Sequence, residues 1–393
     1  MEPIADLTTI YEIGLIVVLA TVASKICVKL KLPGLIGAIL VGLFLGGPGG
    51  IGLFNETDEL KLFGTIGAIL LLFMCGLQFD ADMFFKMGKR IFLLTFIGVT
   101  FAIIAGFLIG LLIGWSAQAS ILLGVMISFS GTSILSAILL QKNIISTEEG
   151  TFIMTAAVTD DVIGIIIFSI TVSSVRGETI SIPEICLNAI FAILFVCGAI
   201  FLGNKALKKS IKKISKYLND DELVLLFLGL GLIVAFIAAS FFNLAAITGA
   251  FIVGAIIPRK EIGKDFGNRF NLMKDVFVTI FFTGIGVSLN PYHFGPVIPL
   301  AILVLGVAIL SRLSGTLLGG YITKNKGKIL WSAAFGLGIR GEMSLIIAQE
   351  GIAQNIVGED FLILAFLVIL GSIFISLPLF NRCIKSIEPR DIV

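Results

Sequence analysis

The stretch TFIMTAAVTDDVIGIIIFSI (151–170) decides how the whole chain is read. Its length and apolar character suit a helix crossing a ~30 Å hydrocarbon slab, yet Asp160 and Asp161 stand side by side at its middle. An ionised side chain at the bilayer centre costs at least about 2.5–3.5 kcal/mol on insertion scales, so each one in a span is a functional candidate. Neighbouring carboxylates repel and favour sharing a proton or a cation. Successive helix positions lie ~100° apart, so one Asp can face a fixed counter-charge while the other faces a cavity.

Working outward, the same apolar texture covers the chain. Of its 393 residues 57% are apolar and 14% charged, with a mean hydropathy of +1.09, against roughly 45–50% and 25% in soluble domains. Apolar stretches fall near 8–28, 33–47, 60–79, 90–114, 119–141, 150–174, 183–204, 221–242, 244–258, 275–289, 296–322, 329–352 and 361–381. This is the pattern of an all-α polytopic membrane protein with about thirteen transmembrane helices; the eighth and ninth stretches are split only by Asn243. The polar connections are too short for a soluble catalytic, regulatory or nucleic-acid-binding domain. Five scattered cysteines, with no CxxC spacing, read as small buried hydrophobes. The N-terminus lacks the basic region of a cleaved signal, so the first span is expected to be retained.

Basic residues provide an independent check. With the N-terminus outside, 24 of the 28 Lys and Arg fall in inside connections and only Lys61 and Arg176 in outside ones. That partition predicts thirteen spans, N-terminus out and C-terminus cytoplasmic, in a cell-membrane protein. The basic run 204–222 reads as an orientation anchor, with anionic-lipid binding as the alternative.

Two other spans carry charge: Arg312 in LAILVLGVAILSRLSGTLLGGY (300–321), and Arg340 with Glu342 in AAFGLGIRGEMSLIIAQEG (333–351). A purely structural ion-pair network explains Arg312 with one carboxylate but not two adjacent aspartates. Two spans also have soft centres. SFSGTSILSA (128–137) groups Gly131 with hydroxyl residues that either unwind the helix and expose oxygen ligands or back-bond within an unbroken one. GLGIRGE (336–342) formally matches a dinucleotide fingerprint, but without a preceding strand and βαβ unit the match is set aside in favour of a broken membrane helix. Spans four to six run helix, soft-centred helix, charged helix, and spans eleven to thirteen run charged helix, soft-centred helix, helix. The odd offset of seven spans inverts the second trio, as in secondary transporters with inverted repeats and an ion site at their interface.

The blocks LPGLIGAILVGLFLGG (32–47), IGAILLLFMCGLQFD (66–80), ITGAFIVGAIIPR (247–259), FFTGIGVSLN (281–290) and IRGEMSLIIA (339–348) together resemble, in order, the cation:proton antiporter family. The resemblance is to the branch holding NapA-type sodium/proton antiporters and Kef-type potassium efflux proteins. It implies an inverted-repeat antiporter fold with two broken crossing helices. It makes Asp161 the principal carboxylate for cation and proton, and Asp160 the second acid of the double-aspartate type associated with electrogenic exchange. Thr132 and Ser133 would lie at the crossing where broken-helix oxygens approach the ion. Arg312 falls where related antiporters often carry a lysine facing the first Asp, and Glu342, with Arg340 beside it, matches the RGE block that can join this network.

The family further implies a homodimer. Its dimerisation domain would comprise about 1–60 and 221–290, its core about 61–174 and 296–384, and a linker helix about 183–220. The chain ends at Val393 without the nucleotide-sensing domain of many Kef-type proteins, which argues against that kind of gating. Arginine at 312, unlike lysine, stays protonated, so any second transported proton should ride on Asp160 or Glu342.

The expected function is secondary active exchange of Na+ for H+ by alternating access, with no cofactor beyond the transported ions and no enzymatic activity; a K+/H+ antiporter or K+ efflux protein is the alternative. An intramembrane aspartyl protease needs two carboxylates converging across a substrate gap, which neighbours on one helix do poorly. A serine mechanism lacks its base, because the only histidine, His293, lies in an outside loop. A channel or sensor would lack obligatory proton coupling.

Overall fold

The computed structural model describes residues 7–30, 32–47, 49–53, 57–78, 81–142, 144–145, 147–175, 217–242, 246–257, 266–325 and 327–385. The described chain is helical, with no β-strand among those residues. In chain order the α-helices are α1 (Leu7–Lys29), α2 (Gly34–Leu45), α3 (Asp58–Gln78), α4 (Ala81–Leu112), α5 (Ala117–Ser128), α6 (Thr132–Gln141) and α7 (Glu148–Val175). They continue as α8 (Asp220–Phe241), α9 (Ala246–Ile256), α10 (Phe266–Ser288), α11 (Phe294–Ile322), α12 (Lys328–Gly336), α13 (Glu342–Ala353) and α14 (Asp360–Ile384). Among the described residues, eight helices are long and apolar enough to cross a membrane. The expected seventh span and nearly all of the linker lie outside the described residues.

Both soft-centred spans are broken. The fifth is α5 and α6, interrupted at Phe129–Gly131, and the twelfth is α12 and α13, interrupted at Leu337–Gly341. The first break is shorter than the sequence stretch that marked it, because helix resumes at Thr132 and takes up Ser133. The eighth and ninth stretches are two helices, since α8 stops at Phe241 and α9 starts at Ala246.

Polar residues sit where helices begin. Ser116 caps α5 by accepting from the Ala119 N–H at 3.2 Å. Asn219 and Glu222 form a reciprocal capping box on α8, the Asn219 Oδ1 accepting from the Glu222 N–H at 3.0 Å and Glu222 Oε2 from the Asn219 N–H at 2.8 Å. Away from the ends many large apolar side chains point outward, among them Ile10, Phe236, Leu310 and Phe374, each more than half exposed. Such surfaces suit lipid rather than water.

The helices form two compact units, Met1–Phe79 with Ala189–Phe294, and Asp80–Asn188 with Gly295–Val393. In the first, α3 packs on α9 and α10, α10 on α2, and α1 on α2. Gly76 lies against the Phe251 backbone and Gly254 against the Phe73 backbone, so α3 and α9 approach at main-chain distance. The third span therefore packs within the first unit, whereas the expected dimerisation domain of about 1–60 was drawn without it. In the second unit, α4 packs on α5 and α7, α12 on α14 and α7, and α13 on α5 and α14. Both trios marked in the sequence lie within this unit.

Candidate functional site

The second unit is built around its two breaks. The Gly131 N–H donates to the Ile339 carbonyl at 2.7 Å, tying one unwound stretch to the other. A Cβ on Gly341 would stand 2.6 Å from the Gly131 Cα, so glycine is what lets the backbones meet. The Ser344 hydroxyl adds a tie from α13 to the Met126 carbonyl of α5, at 2.9 Å. Breaking a helix inside a membrane frees backbone groups that must find partners in the protein, and these are their partners.

Asp160 and Asp161, from the middle of α7, are 0% and 3% exposed. As the helix period requires, they face different partners. Asp160 receives the Arg312 guanidinium of α11, Nη2 to Oδ1 2.6 Å, with both side chains fully buried. Its Oδ2 accepts the Ser130 N–H at 2.9 Å, so a peptide group released by the first break is spent on the carboxylate. Asp161 lies among Thr132, Glu342, Asp160 and Arg312, each placed to act on its charge. The Asp161 Oδ1 and the Ser130 Oγ are buried and make no hydrogen bond among the described residues. Thr132 and Glu342 are the first residues of α6 and α13, so two helix N-termini, with their partial positive charge, open at the same crossing.

Arg340 reaches across the structure from within the second break. Its Nη1 donates to the Phe129 carbonyl at 3.0 Å and its Nη2 to the Ala308 carbonyl of α11 at 2.6 Å. Its backbone N–H donates to the Ser372 hydroxyl of α14 at 2.9 Å. The guanidinium thus sits on the negative C-terminal end of α5 and fastens both breaks to α11, while the Arg340 backbone N–H ties the second break to α14.

Of the residues singled out in the sequence, Asp160, Asp161, Thr132, Arg312, Arg340 and Glu342 come together here. Ser133 is in α6, with its side chain outside the described set. Sequence reasoning missed the Ser130 N–H, the Phe129 and Ala308 carbonyls, and Ser372. The first two lie within or beside the soft centre, whereas Ala308 and Ser372 carry no sequence signal.

Formally, Asp160, Asp161 and Glu342 bring three negative charges, and Arg312 and Arg340 two positive ones, all at most 5% exposed. The cluster is left at −1, which one proton or one monovalent cation neutralises. The carboxylate and hydroxyl oxygens around Asp161 are the hard donors that such a cation takes.

A family model described as sodium/hydrogen exchanger, transmembrane, matches residues 14–381. The chain is 27% identical over 367 residues to a Na(+)/H(+) antiporter of Enterococcus hirae, covering 92% of this chain and 94% of that protein. It is 25% identical over 375 residues to the Na(+)/H(+)-K(+) antiporter GerN of Bacillus cereus, covering 94% of each. Among solved structures, the sodium proton antiporter MjNhaP1 of Methanocaldococcus jannaschii superposes with a TM-score of 0.78 at 18% identity, over 96% of this chain and 98% of that one. That last likeness establishes the fold.

Proposed function

This chain belongs to the transmembrane sodium/hydrogen exchanger family, and from that premise we propose that it exchanges Na+ for H+ across the membrane by alternating access, with Asp161 as the shared ion and proton site. The observation that carries the reading is the buried cluster, of formal net charge −1 among the described residues, in which Asp160 is held by an ion pair and a hydrogen bond while Asp161 Oδ1 is buried and makes no hydrogen bond among the described residues. Sodium binding on one side and protonation on the other are alternative ways of neutralising the same group. Neither ion crosses without the other, because the ionised cluster is too costly to carry through hydrocarbon unneutralised.

Asp160 and Arg312 fix the geometry beside that group, Thr132 provides a hydroxyl, and Glu342 and Arg340 complete the charge network. Electrogenic exchange requires a second proton. In this proposal Asp160 takes it, which requires Arg312 to leave its 2.6 Å pairing during the cycle, since the guanidinium cannot itself release a proton. The proton-loaded site then carries one more positive charge than the sodium-loaded one, and a membrane potential acts on that difference.

A second reading, K+ in place of or beside Na+, is favoured by the similarity to GerN, a Na(+)/H(+)-K(+) antiporter. The proposal also places the N-terminus outside and the C-terminus in the cytoplasm, on the charge bias of the connections, and makes the working form a homodimer, on family resemblance.

The test is ion-driven proton release from proteoliposomes under a clamped membrane potential. Sodium drives it in the wild type, potential changes its rate, and Asp160→Asn removes the voltage dependence. Release driven by potassium alone would move the assignment to the second reading, and release that needs neither ion would overturn both.

A further inference from the structure

At the end of α12 away from the crossing, the second unit holds a cleft of about 690 Å³ lined by Gly327, Lys328, Trp331, Arg382, Cys383 and Lys385. Among the described residues that line it, three of six are cations and none is an acid. Lys328 is the first residue of α12, while Arg382 and Lys385 stand three positions apart at the end of α14, on one side of the helix. The two helices pack together, so their ends hold the three charges around one space. Trp331 is 45% exposed and stacks on Phe335 with ring centroids 5.8 Å apart, leaving part of the indole on the wall.

The level of this cleft is set by the spans that frame it. A 25-residue α14 is about 37 Å long and more than crosses the hydrocarbon, so its last turn lies where headgroups do. Trp is the residue of that layer, apolar in its rings and polar at its N–H. The cleft thus combines an apolar wall with clustered cations at headgroup depth.

We propose that this cleft binds the phosphate headgroup of an anionic phospholipid, with Lys328, Arg382 and Lys385 on the phosphate and Trp331 against the glycerol and upper acyl region. Occupancy has a mechanical consequence. α12 is only nine residues, about 13 Å, and runs from the cleft directly into the break at Leu337. A lipid held at one end steadies the half-helix whose other end carries the crossing.

Trp331 is itself the probe, since the chain has only two tryptophans. In Trp115→Phe protein, in phosphatidylcholine vesicles, brominated phosphatidylglycerol should quench Trp331 more strongly than brominated phosphatidylcholine. The preference for the anionic lipid should fall about fivefold for each cation removed and vanish in Lys328→Gln/Arg382→Gln/Lys385→Gln. The charge-keeping triple Lys328→Arg/Arg382→Lys/Lys385→Arg should retain it. Equal quenching by the two lipids, or a preference that survives the neutral triple, overturns the proposal. So does displacement of the anionic lipid by inorganic phosphate, which would make the site one for a soluble anion. The readout needs no ion flux and stands apart from the exchange assignment.

Discussion

Arg312 and Asp160 form a fully buried ion pair, and such pairs behave differently when one partner is removed than when both are. Arg312→Met leaves Asp160 with the Ser130 N–H as its one hydrogen bond among the described residues, and Asp160→Asn leaves a guanidinium at 0% exposure with its carboxylate gone. Each single change should cost about 3–5 kcal/mol, because it strands a charge out of water. If the sites were independent the double variant would lose roughly 6–10 kcal/mol. It removes both charges together, however, and replacing a whole buried pair is about neutral or better. The expected cycle is therefore two strongly destabilised single variants and a double variant near wild type, a coupling of about 6–10 kcal/mol. Unfolding of the four purified proteins in one detergent, followed by thermal melting and by denaturant titration, measures it. Single variants that melt like wild type, or a double variant as unstable as the sum, would refute the reasoning that this pair is desolvated and mutually dependent.

Three further substitutions separate the parts of the account. Gly341→Ala drives a methyl group into Gly131 and should cost about 1–3 kcal/mol together with transport, whereas Gly229→Ala, which meets nothing within 4 Å, should leave both intact in melting and flux assays. Arg340→Ala deletes charge-assisted bonds to the Phe129 and Ala308 carbonyls, worth about 1.5–3 kcal/mol each, and should lower the melting temperature and abolish exchange. Arg340→Lys, lacking the planar fork, should recover only part of each. Asn219→Ala breaks the capping box on α8 and should cost about 1 kcal/mol of stability with ion affinity unchanged, as checked by melting and by sodium titration of flux.

Much of this arrangement is legible in the sequence because a bilayer leaves the chain few choices. Apolar length marks the spans, and a charge inside one is conspicuous because water cannot reach it, which is how Asp160, Asp161, Arg312, Arg340 and Glu342 announced themselves. The breaks were legible for a related reason: Gly131 and Gly341 weaken their helices where polar neighbours can receive the freed backbone. The partners themselves were less so. The Ser130 N–H and the Phe129 and Ala308 carbonyls act through the main chain, which every residue has, so no side-chain pattern identifies them. Ser372 looks like any hydroxyl in a membrane helix. The packing of the third span was not legible, because hydropathy reports that a helix is buried in membrane, not which helices it packs against; the close approach of Gly76 and Gly254 to the facing backbones decides that.

The central claim is that a sodium ion and a proton compete for Asp161. The most direct measurement is the proton release that accompanies sodium binding to purified protein in weakly buffered detergent solution, followed with a pH indicator. Wild-type protein should release protons as sodium is added, with half-saturation rising as the starting pH falls, and Asp161→Asn should release none while melting as a folded protein. Sodium binding with undiminished proton release in folded Asp161→Asn would contradict the account.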